Sequence, residues 1–115
     1  MLTKFDISGG NNKTLNRVYK EMIKGHKCKS VYDGIYKTFI KDILGYKNIK
    51  DLTSNDIDYF YIYLTRKTYN GHLYSHSYIK KVMNLLKKIF DFGIKNKYIE
   101  INLVEIKIYF TKNYW

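Results

Sequence analysis

The clearest chemical pattern in this sequence is a block of lysines in the stretch "SHSYIKKVMNLLKKIFDFGIKNKYIEINL". Two Lys-Lys pairs stand seven residues apart, and an asparagine lies between them. The set is Lys80, Lys81, Asn84, Lys87 and Lys88. Lysines neutralise phosphates and release counterions, while Asn84 and Ser77 can hydrogen-bond phosphates or base edges. A solvated helix face would also be rich in lysine, so the block alone leaves both interpretations open.

A second candidate for phosphate binding is the stretch "HKCKSVYDGIYK", which begins at His26. Lys27 and Lys29 precede Ser30, which we predict to be the N-cap of a helix, and Tyr32 follows. The free N–H groups and the dipole of a helix N-terminus favour an anion. Ordinary capping with flanking charge is the alternative.

The sequence favours neither a metal site nor catalysis. His26 and Cys28 in one place and His72 and His76 in another lack zinc-finger spacing, so we expect no metal and no cofactor. Gly-x-Ser-x-Gly, Walker and dinucleotide-binding motifs are missing from the sequence. None of the 13 tyrosines is marked as a nucleophile.

Composition agrees with a polyanion-binding protein. The 115 residues carry 21 basic and 10 acidic side chains, a net charge of +11, which attracts nucleic acid first and anionic lipid second. AT-rich coding would also raise the Lys and Tyr counts, so the placement of charge carries more weight than its total. The sequence contains no apolar run long enough for a membrane span and no signal peptide, so we expect a soluble, cytoplasmic protein without membrane contact.

Four amphipathic patterns predict an all-α domain. The first two helices are predicted at Thr14–Lys24 and Ser30–Leu44, and Gly25 and Gly45 are expected to end them. We predict a flexible segment at residues 1–12, the domain at 13–106, and a tail or linker at 107–115.

Capping residues mark the other two helices. Thr53 and Asp56 have capping-box spacing, and Ser75 is the predicted N-cap of the fourth helix. Between them lies "YNGH". An Asn-Gly pair can mark a hairpin, but its flanks do not alternate, which favours a helix–helix loop.

The fourth helix has an apolar side opposite its lysines. Gly93 lies on that side, where we expect another helix to approach closely. The apolar set is Ile79, Val82, Met83, Leu86, Ile89, Phe90 and Gly93.

The order of these motifs resembles the N-terminal core-binding domain of phage integrases and other tyrosine recombinases, a SAM-like helical domain. The similar stretches are "TLNRVYKEMI", "KSVYDGIYKTFIKDILGYKNIKDLTSNDIDYFYIYL" and "LYSHSYIKKVMNLLKKIFDFGIKNKYIEINL", which together cover about residues 13–106. The chain departs from the family pattern at three positions. Gly93 replaces an alanine, Leu103 replaces a proline after Asn102, and Tyr78 replaces a small threonine.

This resemblance implies a compact bundle of four helices in two crossed pairs, whose second and fourth helices clamp double-stranded DNA. The implied DNA-binding residues are Lys27, Lys29, Ser30, Tyr32, Ser75, His76, Ser77, Lys80, Lys81 and Asn84. Lys87 and Lys88 lie further along and would add only long-range attraction.

In the family, a separate C-terminal domain carries an arginine–lysine–histidine–arginine set and a tyrosine nucleophile. The resemblance therefore implies that this chain is a fragment of a longer integrase, or else a stand-alone remnant of one, which binds DNA and cuts nothing. We expect it to be monomeric alone and to meet other recombinase protomers on DNA in the full-length protein.

Two alternatives belong to other classes. A helix-turn-helix regulator would need a tight turn of about three to four residues, and the links predicted here are longer. A helical protein-interaction module would expose an apolar patch, which the stretch Ile99–Phe110 could supply.

Overall fold

The computed structural model describes residues 13–104 of the chain. The segments predicted at 1–12 and 107–115 lie outside the described residues. Residues 13–104 are mostly helical, as predicted, but a two-stranded sheet accompanies the four helices. The elements are α1 (Leu15–Ile23), α2 (Lys29–Ile35) continued by a π-helical turn (Tyr36–Ile40), a 3-10 turn (Ile49–Asp51), α3 (Ser54–Arg66), β1 (Thr68–Tyr69), β2 (His72–Leu73) and α4 (His76–Lys95).

Helix α1 is fixed at both ends by local backbone chemistry. The Thr14 hydroxyl accepts a hydrogen bond from the Arg17 amide, so Thr14 is the N-cap. Gly25 follows the C-terminal end with φ +69°, a left-handed conformation that glycine adopts without steric cost. The prediction that Gly25 stops this helix is confirmed.

Helix α2 begins earlier than predicted, and Ser30 is not its N-cap. The N-cap is Cys28, whose side chain forms no capping bond. Helical hydrogen bonding starts upstream because the Cys28 carbonyl already accepts from the Tyr32 amide at 3.0 Å. Ser30 therefore lies inside the first turn of α2.

The end of this second helix also differs from the prediction. Helical structure stops at Ile40, in the π-helical turn, and residues 41–46 form turns. Gly45 is not in the left-handed conformation of a C-cap. Its role is close approach, since its carbonyl accepts from the Asn16 amide of α1 at 2.8 Å. A Cβ added to Gly45 would overlap the Asn16 side chain and the Lys41 carbonyl oxygen.

Helix α3 has the predicted capping box. The Thr53 hydroxyl accepts from the Asp56 amide, and the Asp56 carboxylate accepts from the Thr53 amide at 3.0 Å. Leu52 and Ile57, which flank the cap, are both buried, as a hydrophobic staple requires.

The link between α3 and α4 is a β-hairpin, so the preference for a helix–helix loop was wrong. Thr68 pairs with Leu73 and Tyr69 with His72 in an antiparallel register. Asn70 and Gly71, with φ 51° and 80°, form the turn, and two positive φ values are what a type I′ hairpin needs. Strands of two residues are too short for alternation to be visible in the sequence.

Helix α4 is the centre of the core and packs against α1, α3 and the π-helical turn. All seven residues of its predicted apolar side are buried, and Leu85 is buried as well. The buried side is wider than predicted because neighbours cover α4 from several directions. Gly93 is indeed closely approached, but by the side chains of Ile49 and Ile99, which belong to no main helix.

The segment after α4 is tied back to the bundle by side-chain hydrogen bonds. The Asn102 amide donates to the Lys87 carbonyl at 3.1 Å and to the Asp91 carboxylate at 2.8 Å. The Tyr98 hydroxyl donates to Glu21 of α1 at 2.6 Å. In the described part of the chain, no helix is both long and apolar enough to cross a membrane.

Candidate nucleic-acid interface

One side of α4 presents a row of exposed polar and cationic side chains, here called the lysine face. Its members are Ser77, Lys80, Lys81, Asn84 and Lys88. At 1.5 Å per residue the row is about 16 Å long. Lys87 is half-buried beside it. The buried apolar side of α4 fixes the orientation of this row, because rotating the helix would expose the core.

The N-terminus of α4 borders the lysine face. The Ser75 hydroxyl accepts from the Tyr78 amide at 3.2 Å and so caps the helix, as predicted. His76 and Ser77 follow in the first turn, and all three residues are exposed. The Ser75 side chain therefore already has a structural role, and a phosphate contact there would share its oxygen.

The predicted residues of α2 are in a different electrostatic setting. Lys29 forms an ion pair with Asp33, with Nζ and Oδ2 at 2.8 Å. The Tyr19 hydroxyl donates to the other carboxylate oxygen at 2.6 Å. The hydrogen bond from Lys29 and then that from Tyr19 lower the pKa of Asp33, so this carboxylate is charged at neutral pH. Lys29 is consequently partly neutralised, which weakens its claim as a phosphate contact.

The other predicted DNA-binding residues near the start of α2 differ in solvent exposure. Lys27 and Ser30 are exposed, whereas Tyr32 is half-buried. The Tyr32 ring packs against His26 at a centroid distance of 5.2 Å, and the Cys28 amide donates to His26 Nδ1. His26 thus orders the loop that leads into α2.

The described contacts join the second helix to the start of α4 at Phe39. The Phe39 ring meets Tyr74 at 5.1 Å and Tyr78 at 5.6 Å. Phe39 is ten residues beyond Lys29, which corresponds to about 15 Å along a helix. The joint therefore brings the α4 group against the far end of the second helix.

The hairpin adds an aromatic row that the sequence analysis did not single out, here called the tyrosine ladder. Its rings are Tyr69, Tyr74 and Tyr78. Neighbouring rings are stacked, at 4.8 Å for the first pair and 5.3 Å for the second, with interplanar angles of 26° and 19°. The ladder gives Tyr78 a structural role. The Asn-Gly pair was the signal that could have revealed it.

The ladder and the lysine face share an electrostatic environment. Residues 59–90 contain no Asp or Glu, while the same stretch holds Arg66 and Lys67 besides the lysines of α4. Lys67 Nζ donates to the Tyr63 hydroxyl at 3.1 Å and lies 5.9 Å from the centre of the Phe39 ring. The exposed cations of α4 therefore suit an anionic partner.

The tyrosines with shifted pKa values favour the neutral phenol. Burial raises the pKa of Tyr78 and of Tyr36, and burial followed by the bond to Asp33 raises that of Tyr19. Phenolate formation is disfavoured at all three. Among residues 13–104, no cluster of three or more His, Cys, Asp or Glu side chains could hold a metal ion.

No family model, no curated protein and no solved structure matches this chain.

Proposed function

We propose that this chain is a DNA-binding domain of the kind found in tyrosine-type site-specific recombinases, and that it holds duplex DNA along the lysine face. The observation that carries the proposal is the exposed cationic row on α4, which continues into an acid-free hairpin. A solvated surface helix usually mixes both signs of charge, whereas here the first carboxylate on α4 is Asp91.

The more specific proposal, that the domain is of the recombinase kind, is supported by the order of the sequence motifs. Under this proposal the four helices form two crossed pairs, and catalysis belongs to a separate domain of a longer protein. Lys27, Ser30 and Tyr32 would then contact the same duplex as the α4 group. The proposed duplex contacts of α4 are Ser75, His76, Ser77, Lys80, Lys81 and Asn84.

The test is binding of the chain to a fluorescently labelled duplex, followed by anisotropy over a series of salt concentrations. Wild type should lose affinity steeply with salt, and each phosphate contact contributes about −0.9 to the logarithmic slope. Lys80→Gln/Lys81→Gln should weaken binding and flatten the slope by about 0.9 for each phosphate that the variant no longer neutralises.

A matched control separates local phosphate binding from total charge. Lys50→Gln/Lys95→Gln removes the same two charges from exposed positions, and Lys95 lies at the other end of α4. The proposal requires the control to bind DNA more tightly than the Lys80/Lys81 variant. Equal reductions in affinity would mean that net charge alone attracts the duplex, and the lysine face would then have no special role.

A protein-interaction module is the second candidate, and one observation favours it. Tyr59 and Ile62 on α3 are 70% and 45% exposed, and with Tyr63 and Arg66 they line a shallow surface depression. An exposed aromatic and aliphatic pair on a helix is a feature of docking surfaces. This candidate predicts duplex binding that is weak and indifferent to both lysine variants.

A further inference from the structure

The tyrosine ladder is anchored in the core at one end and reaches solvent at the other. Its inner ring, Tyr78, is half-buried, and Phe39 meets it edge-on. Its outer ring, Tyr69, is 55% exposed at the hairpin. A stack of rings that ends in an exposed ring can be extended by one more flat group.

The hairpin holds the outer ring in a defined position. The pairing of Tyr69 with His72 puts both side chains on one face of the two strands, and Thr68 and Leu73 lie on the other. Stacking on Tyr74 further restricts the Tyr69 ring. A preorganised aromatic side chain loses little conformational entropy when a ligand stacks on it.

The positive charge near the ladder indicates which kind of planar group could stack on Tyr69. Lys81 lies one helical turn beyond Tyr78, and the acid-free stretch 59–90 contains the hairpin and the start of α4. A nucleobase attached to a phosphate backbone satisfies both features, since its ring stacks and its phosphates meet cations. Every base has a π-face, so this kind of stacking tolerates any sequence.

We propose that Tyr69 is a stacking site for an unpaired nucleobase, next to the duplex that the lysine face holds. The faces of bases inside a duplex are covered by their neighbours, so the site requires a single-stranded or unpaired stretch. This inference rests on the proposed function in one respect, because the lysine face supplies the adjoining duplex contact.

The experiment compares two labelled DNAs that share the same duplex, one blunt and one with a short single-stranded thymidine overhang. Wild type should bind the overhang DNA at least about fivefold more tightly, the lower range for stacking of one base. Tyr69→Phe should keep this preference, because the ring remains. Tyr69→Leu should remove the preference for overhang DNA. Tyr59→Leu, which changes an exposed tyrosine of α3, should keep it.

A second measurement does not depend on variants. A fluorescent purine analogue placed in the overhang should lose emission when wild type binds, because stacking quenches it. Unchanged emission, equal affinity for both DNAs, or equal effects of Tyr69→Leu and Tyr59→Leu would each overturn the stacking site. If blunt duplex is not bound but a single strand is bound in a Tyr69-dependent way, the stacking site stands and the proposed duplex function fails.

Discussion

Single residues decide how closely the elements of this domain approach one another, and the glycines are the clearest example. Gly45 has no room for a side chain, because an added Cβ would overlap Asn16 and the Lys41 carbonyl. The close approach lets the turn after the second helix cap α1, since the Gly45 and Lys47 carbonyls accept from the Asn16 and Leu15 amides. Gly34, by contrast, lies in α2, where an added Cβ would meet no neighbouring element.

These two glycines should respond in opposite directions to the same substitution. Gly45→Ala should lower the free energy of unfolding by about 1–3 kcal/mol through overpacking. Gly34→Ala should raise it by about 0.5–1 kcal/mol, since alanine favours the helical backbone and meets no neighbour. Urea denaturation followed by circular dichroism measures both values. A neutral Gly45→Ala would show that the turn moves away from α1 without cost.

The residue types of the lysine face were readable from the sequence, because helical spacing and charge are both local properties. The pairing of Lys29 with Asp33 has the i,i+4 spacing of an ion pair, but the Tyr19 hydroxyl that shares this carboxylate comes from another helix. Tertiary interactions of that kind are not encoded in any single stretch. The spacing therefore signalled part of the weaker case for Lys29 as a DNA contact, and the structure added the Tyr19 bond that holds the carboxylate in place.

At the scale of elements, the capped N-terminus of α4 should serve both stability and binding. Ser75→Ala removes the cap and should cost about 1 kcal/mol of stability. Ser75→Asp keeps an oxygen for the Tyr78 amide and suits the helix dipole, so the free energy of unfolding should stay near that of wild type. If α4 faces phosphates, the new charge should still weaken duplex binding by at least about fivefold.

Helix α3 offers the matched control for this prediction. Thr53→Asp places the same charge on an N-cap that is not part of the proposed interface, and because it also faces the Asp56 carboxylate its free energy of unfolding is measured beside its affinity. Anisotropy with the labelled duplex should show a smaller reduction in affinity for Thr53→Asp than for Ser75→Asp. An equal reduction for the two variants would contradict a DNA contact at the start of α4.

Elements differed in how far the sequence predicted them. Periodicity and caps were sufficient for α1, α3 and α4, where apolar spacing, Thr53 and Ser75 agree. They failed where the backbone departs from regular geometry. The π-helical turn Tyr36–Ile40 keeps the apolar residues buried while helical structure ends earlier than expected, and two-residue strands leave no periodic signal.

At the scale of the whole molecule, the two proposed functions would use two different exposed surfaces. One carries the lysine face and the tyrosine ladder on α4 and the hairpin. The other is the pair Tyr59 and Ile62 on α3, with Asp56 and Asp58 earlier on the same helix. A polyanion is attracted by the first surface. The second surface carries charges of both signs, because Arg66 and Lys67 line the same depression as Tyr59 and Ile62, so it attracts a polyanion less strongly.

Removing the α3 surface therefore separates the two functions. Tyr59→Ser/Ile62→Ser should leave duplex affinity within about twofold of wild type, a difference of about 0.4 kcal/mol. Both side chains are exposed, so little buried apolar area disappears and the fold should persist. Anisotropy beside the Lys80→Gln/Lys81→Gln variant provides the comparison. If the α3 variant loses as much affinity as the lysine variant, α3 contacts the DNA as strongly as α4 does. The assignment of the duplex to the lysine face alone would then be wrong.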